Sequence, residues 1–265
     1  MQASVVISYY KNIPNLELLL LALNEQTAKN SFEVIVSEDA DDMETVVFLN
    51  KIRPTLKFPL LHVSQEDKGF RKCKALNNAV QQAATDFIIF LDGDCIPHKK
   101  LVEEYLKEKK EGRVLYGRRV MLSEKISKQL LETKELQKLN LFNIITTGSE
   151  RIEEGIRLPF SIEQKKKDGL LLGCNMGIFK KHLIAINGFD EDYESSGGGE
   201  DSDIEWRLKA MGGVSFYSMR FKAIVYHLYH PVRFSLETML HNKAEFENKK
   251  AQGHFICKNG IKKIP

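Results

Sequence analysis

A chain of 265 residues with 43% hydrophobic and 28% charged content has an ordinary globular composition, enough for one large domain or for one domain with a small appendage. Its 39 basic and 36 acidic residues leave a net charge of +3, too balanced to demand nucleic acid, and the aromatic residues do not alternate with Lys or Arg as on a single-strand platform. The cysteines Cys73, Cys95, Cys174 and Cys257 are far apart with no Cys-x-x-Cys pair, which argues against a zinc ribbon or a disulfide framework and fits a reducing compartment.

Val5-Val6-Ile7 reads as a short buried strand, too short for a secretory signal and followed by charges at Lys11 and Glu17. Pro14 then lies in the first turn of a helix whose Leu16, Leu19, Leu20 and Leu23 follow i, i+3, i+4, i+7. The apolar stretch from Leu16 to Leu23 is interrupted by Glu17 and falls short of the roughly 20 residues of a membrane span, so the expectation is a soluble, cytoplasmic protein. Phe32 to Val36 is a second strand and Leu60 to Val63 a third. Cys73, Leu76, Val80 and Ala83 mark one face of a helix that leads into a fourth strand, Phe87 to Leu91. Strands alternating with helices through short connections imply an α/β fold with a mostly parallel, right-handed, doubly wound sheet. No Gly-x-Gly-x-x-Gly follows the first strand and no Walker sequence occurs, so dinucleotide and P-loop readings lose their main support.

Two acidic clusters fall at C-terminal strand edges, where open α/β sheets bind ligands. Ser37-Glu38-Asp39-Ala40-Asp41 follows the second strand, and a carboxylate there can accept hydrogen bonds from a ribose or a base N–H. The competing role is a helix N-cap by Asp41 or Asp42. Asp92-Gly93-Asp94 ends the fourth strand, and two acids so close repel unless a cation joins them. Hard oxygen ligands suit Mg²⁺ or Mn²⁺ carrying a diphosphate; the alternative is a polar turn after a core strand.

Further on, Ile126, Leu130, Leu131, Leu136 and Leu139 read as one helix, and Arg151 to Asp168 as a charged, irregular stretch in which no residue is assigned a role. Gly197-Gly198-Gly199 precedes Glu200-Asp201-Ser202-Asp203 and a helix with Ile204, Leu208 and Met211 on one face. Glycines permit close backbone approach to a sugar ring, and acids are favoured at a helix start, where a plain cap would account for one of them. Ala223 to His230 reads as a strand ending at Pro231, in which His227 and His230 point to opposite faces, so one of the two reaches the site. Leu236 to Lys250 is helical, and the basic residues at Lys249-Lys250 and from Lys258 to Lys263 read first as a solvated tail and second as a weak contact for an anionic membrane surface.

The ordered set Val5 to Tyr10, Glu33 to Asp39, Lys68-Gly69-Phe70-Arg71 and Phe90 to Asp94 resembles the donor half of family 2 glycosyltransferases with the GT-A fold. Gly173-Cys174-Asn175-Met176-Gly177 and the Gly-Gly-Glu-Asp segment at Gly198 to Asp201 look like the acceptor-side motifs, the latter as in the β-1,4-galactosyltransferase and chondroitin polymerase branch. The resemblance runs from about residue 4 to about residue 230, which implies a donor half over about 1–120, an acceptor half over about 121–230 and a C-terminal helical extension over 231–265.

By that resemblance Ser8 and Tyr10 line the base pocket, Asp39 contacts the uridine of a UDP-sugar with Glu38 beside it, Asp92 holds the ribose or sugar, and Asp94 ligates Mn²⁺ or Mg²⁺. Many members carry Ala-Arg-Asn where this chain has Ala75-Leu76-Asn77, and Lys68, Arg71 or Lys74 supply the missing charge, with Arg71 preferred. Gly198, Gly199 and Glu200 bind the acceptor, Asp201 is the general base and His227, ahead of His230, is the second metal ligand. The implied activity is inverting transfer from a nucleotide-sugar to a glycan or lipid-linked hydroxyl in surface polysaccharide synthesis, in the cytoplasm or peripherally at the inner face of the membrane. A sugar-1-phosphate nucleotidyltransferase would need a Gly-rich basic loop after the first strand, which Ser8-Tyr9-Tyr10-Lys11-Asn12 does not provide. A silent sugar-binding module would lack Asp94, Asp201 or the terminal His, all of which are retained.

Overall fold

The computed structural model describes residues 1–163, 168–232 and 234–264. Its first part alternates as the pattern requires: β1 (Ala3–Tyr9), α1 (Ile13–Asn24), β2 (Phe32–Glu38), α2 (Met43–Ile52), β3 (Leu60–Ser64), α3 (Lys72–Gln82) and β4 (Phe87–Asp92). Period-two side-chain direction splits each strand between two cores. Val5, Ile7, Val34, Val36, Ile89 and Leu91 pack with the α1 leucines on one face of the sheet. Val6, Ile35, Ile88 and Phe90 pack with Cys73, Leu76 and Val80 of α3 on the other. Burial on both faces is why these strands read as unbroken apolar runs, and each Leu or Ile so buried contributes about 1.5–3 kcal/mol. Asn12 caps α1 by accepting from Asn15 N, and Asp42, the capping alternative weighed for the acidic cluster, caps α2 by accepting from Glu44 N at 2.9 Å.

The chain continues through β5 (Cys95–Pro97), α4 (Leu101–Glu108), β6 (Arg113–Tyr116), β7 (Arg118–Met121), α5 (Glu124–Thr133), α6 (Leu141–Thr146), β8 (Met176–Phe179), α7 (Lys180–Ala185), α8 (Glu200–Met211), β9 (Ser215–Ser218), β10 (Ile224–His227) and α9 (Leu236–Gln252). Seven strands form the main sheet in the order β3-β2-β1-β4-β8-β6-β9, parallel except where β8 runs against β4 and β6. A small sheet, β5-β10-β7, sits beside the C-terminal edge of β4. This is the expected α/β architecture with a mostly parallel sheet. The helix expected from Ile126 to Leu139 is shorter: α5 stops at Lys134, whose left-handed φ of 58° turns the chain, and Leu136–Lys138 forms a separate turn. Of the charged stretch Arg151 to Asp168, Ile152–Gly155 forms a short 3-10 turn and residues 164–167 lie outside the described residues. Among the described residues no helix is long and apolar enough to cross a membrane.

The acceptor side is joined to the sheet through Asn175. Its fully buried amide donates to Arg118 O and Ala223 O at 2.7 and 2.9 Å and accepts from Tyr105 Oη at 2.7 Å, so one side chain ties β7, α4 and the lead-in to β10 together. Gly117 is required beneath it, because a Cβ there would stand 2.1 Å from the Asn175 amide. α9 packs on the glycine loop: Asn242, 1% exposed, donates to Gly198 O at 2.8 Å and to Ser195 O and Ser196 O at 3.3 Å.

Candidate active site

The ends of β1, β2 and β4 meet at one edge because parallel register carries Ser8 opposite Ser37 on one side and Asp92 on the other. Gly93 N donates to Ser8 O at 2.8 Å and Asp39 N to Tyr9 O at 3.0 Å, which closes the floor of a cavity of about 410 Å³. Ser8, Tyr10, Asp39, Gly69, Phe70, Lys72, Asp92, Asp94, Ser196 and His230 are among its lining. Sequence reasoning thus brought Ser8, Tyr10, Asp39, Asp92 and Asp94 to the same hollow. Tyr10 stands exposed at the rim, its hydroxyl 3.3 Å from Asp67, which also pairs with Lys11.

Three residues of the expected donor set are placed elsewhere. Glu38 is fully buried and turned into the protein, where it accepts from Thr45 Oγ1 and meets His62 Nε2, both at 2.8 Å. Successive side chains on a strand alternate, so Glu38 and Asp39 cannot both face the cavity. Lys68 is an exposed residue paired with Glu66 at 2.7 Å. The Arg71 guanidinium bonds back to Glu66 O, while its backbone N–H donates to Asp39 Oδ2 at 2.6 Å. Asp39 also accepts from Gln65 Nε2 at 2.7 Å, so it anchors the Lys68 to Arg71 loop from within the cavity wall. Burial pushes the Asp39 carboxyl above its usual range in spite of these bonds.

The cation that enters the cavity is Lys72. Its Nζ is 3.0 Å from Asp92 Oδ1 and 3.5 Å from Glu200 Oε1. Burial opposes the charge, but the carboxylates of Asp92, Glu200 and Asp201 outweigh it and hold the ammonium well above the ordinary lysine value. One signal for Lys72 was legible: a lysine in the first turn of a helix sits against the helix dipole, so something other than helix stability places it there.

Asp94 lies at the junction of the two sheets. Antiparallel pairing of β5 and β10 sets His227 opposite Cys95, so the imidazole arrives beside the preceding residue, with Nε2 3.5 Å from Asp94 Oδ2. The strand ends at His227; Leu228 N then donates to Asp94 O and Tyr229 N to Ser127 Oγ, and the turned chain delivers His230 Nε2 to 3.2 Å from the same Asp94 oxygen. The expectation of opposite faces is therefore corrected: the strand geometry it assumed stops before His230, and the two rings stand 5.0 Å apart. Burial pushes the Asp94 carboxyl up, but the His230 bond and the charges of both histidines bring it down to about 2. Burial pushes the His227 imidazole down, toward the neutral form that binds metals. One carboxylate and two imidazole Nε2 atoms converge, with Cys95 beside them, a donor set that fits Mn²⁺ or a similar divalent ion.

On the acceptor side Gly197, Gly198 and Gly199 have φ of +112°, +91° and +114°, values that disfavour any side chain. Of the acids that follow, Asp203 does not reach the site: it is buried against Arg207 at 2.6 Å, and Arg207 also donates to Ile186 O and Gly188 O. Asp201 Oδ2 accepts from Gly173 N at 2.8 Å and its buried Oδ1 has no partner. Gly173 is needed there, since a Cβ would lie 2.8 Å from that oxygen. Burial and the Glu200 charge push the Asp201 carboxyl up to about 7, against the pull of Lys72 and of the Gly173 N–H.

With this geometry in view, the model of Glycosyl transferase family 2 matches residues 4–180, and that of the N-terminal domain of galactosyltransferase matches residues 164–231. The chain belongs to glycosyl transferase family 2. This family 2 chain is 27% identical over 240 residues to a hyaluronan synthase of Pasteurella multocida, covering 84% of this chain and 24% of that protein. Among solved structures, S. aureus TarS 1-349 in complex with UDP-GlcNAc superposes with a TM-score of 0.62 at 18% identity, covering 95% of this chain and 73% of that one. A mannosyltransferase from Pyrobaculum calidifontis in complex with GDP-Man and Mn²⁺ gives a TM-score of 0.63 at 15% identity, covering 95% and 64%. These structures share the GT-A-like fold. The chain spans between 24% and 33% of the length of the curated relatives it matches.

Proposed function

We propose that this chain is an inverting, metal-dependent glycosyltransferase that moves a sugar from a UDP-sugar to a hydroxyl of a glycan or lipid-linked acceptor in surface polysaccharide synthesis, in the cytoplasm or peripherally at the inner face of the membrane. The observation that carries the reading is the division of one edge into two chemical sides: Asp94 with two imidazoles on one, and Asp201, with a carboxyl near 7 and an unpartnered buried oxygen, on the other. In this reading Ser8 and Tyr10 hold the base, Asp39 shapes the nucleoside end through the loop it anchors, and Asp92 with Lys72 orients the sugar.

Asp94, His227 and His230 would hold the divalent ion, which when bound supplies positive charge for the leaving diphosphate. Asp201 Oδ1 accepts the acceptor hydroxyl proton as that oxygen bonds to the anomeric carbon and the bond from that carbon to the diphosphate oxygen breaks. The glycine loop and Glu200 position the acceptor for attack from the face opposite the diphosphate. A general base works best with a pKa near the operating pH, which the burial of Asp201 provides. The test is incubation with several UDP-sugars and Mn²⁺, followed by NMR of the new glycosidic bond. Inverted anomeric configuration is expected; retention would overturn the single displacement, and failure of any UDP-sugar to bind would overturn the donor class.

A further inference from the structure

We propose that the sugar transferred at this site carries no anionic group: a neutral hexose or N-acylated hexosamine is accepted and a uronic acid is refused. The inference rests on reading the cavity as a nucleotide-sugar site and narrows which sugar that site takes.

The argument is one of charge and hydrogen-bond count. Among the described lining residues Lys72 is the sole ammonium, against the carboxylates of Asp39, Asp92 and Asp94. Asp39 spends both oxygens on Arg71 N and Gln65, and Asp94 faces the two histidines. Lys72 is shared between Asp92 at 3.0 Å and Glu200 at 3.5 Å, with Asp201 next in the chain. One ammonium therefore answers three carboxylates. Arg119, like Glu200 and Asp201, is not among the lining residues; its Nη1 donates to Cys174 Sγ at 3.4 Å, and its charge also acts on Asp92.

The unmet polar atoms around the site include the donors Arg71 Nε and Arg119 Nε, and those grouped with Lys72 are acceptors. Glu200 Oε2 and Asp201 Oδ1 are buried carboxylate oxygens without a partner. A ligand can satisfy them with a hydroxyl or an amide N–H, whereas a carboxylate has no hydrogen to give. A uronate would have to take Lys72 from Asp92 or Glu200, leaving a buried carboxylate unpaired, and rejection by unpaired buried charge is strong. Specificity in this site therefore comes from a repulsive element together with the attractive ones.

The experiment is calorimetric binding in the presence of Mn²⁺ of UDP, UDP-glucose, UDP-galactose, UDP-N-acetylglucosamine and UDP-glucuronate. At least one neutral donor is expected to bind about tenfold or more tightly than UDP-glucuronate, which should bind no better than UDP itself. Glu200→Gln frees Lys72 to meet a carboxylate and should narrow that gap by about threefold or more; if this variant does not fold, Asp201→Asn gives the same reading. UDP-glucuronate bound as tightly as the best neutral donor, or a gap unchanged in the folded variant, overturns the proposal while leaving the nucleotide-sugar site intact. Failure of UDP itself to bind takes down both readings.

Discussion

Asp201 and the two histidines carry the residue-scale predictions. Asp201→Asn keeps the shape and can still accept from Gly173 N, yet it cannot take a proton. Turnover should fall by about 10²- to 10⁴-fold with UDP affinity unchanged, as measured by product formation and calorimetry. In the parent protein kcat/KM should rise with pH through about 7, where the Asp201 carboxyl gives up its proton. The same shift affects stability. The folded state retains a proton that the unfolded chain releases near 3.8, so the protonated form stabilises the fold at low pH and that contribution is lost as pH rises through about 7. Asp201→Asn should therefore gain in melting temperature relative to the parent between about pH 5 and pH 8. For the histidines, either His227→Ala or His230→Ala should weaken Mn²⁺-dependent UDP binding, and the double variant should abolish the Mn²⁺ dependence. Wild-type binding by His230→Ala would return the ligand role to His227 alone.

At the scale of elements, the contact between α9 and the glycine loop decides how the acceptor side is held. Asn242 serves three loop carbonyls, receives Ser195 Oγ at 2.6 Å, and lies against Gly199, while Phe234 covers Gly197. Lys249 further down α9 pairs with Asp190 and Asp192 at 2.5 and 2.6 Å, fixing the helix to the segment before the glycines. Asn242→Ala should cost about 1–3 kcal/mol of stability through the unpaired carbonyls. Its functional signature should be a raised KM for the acceptor with UDP affinity kept, read by steady-state kinetics and calorimetry. Loss of UDP binding instead would mean that the loop belongs to the donor side.

For the whole molecule, the cavity proposed for donor and metal lies at the sheet edge while the two cores lie on either side of the sheet, so ligand binding should add to stability by mass action without being needed for folding. UDP with Mn²⁺ at about 100 times its Kd should stabilise by about 2.7 kcal/mol, visible as a rise of several degrees in melting temperature. Chelation should remove that rise and leave the unliganded melting temperature in place. A chelated protein that melts far below the untreated one would show the metal to be part of the fold.

The alternation of strands and helices and the carboxylates at the sheet edge were legible in the sequence because both follow from local pattern. Apolar runs such as Phe87 to Leu91 are continuous only when both faces are buried, and acids just after such a run must emerge at its end, as Asp92 and Asp94 do. Local pattern placed a group of acids at a helix start after three glycines, and the choice of Asp201 among them came from the resemblance. Pattern failed where a side chain's direction depends on distant chain. Glu38 turns inward because His62 and Thr45 wait for it, Lys72 enters the cavity because Glu200, 128 positions later, closes behind it, and His230 reaches Asp94 because Ser127 holds the turn after β10. Periodicity assigns a residue to a face of its own element; which partner that face meets is set by packing between elements. The sequence by itself therefore determined the doubly wound sheet and the edge that carries the chemistry, and only the tertiary structure decided which cation, which histidines and which loop complete it.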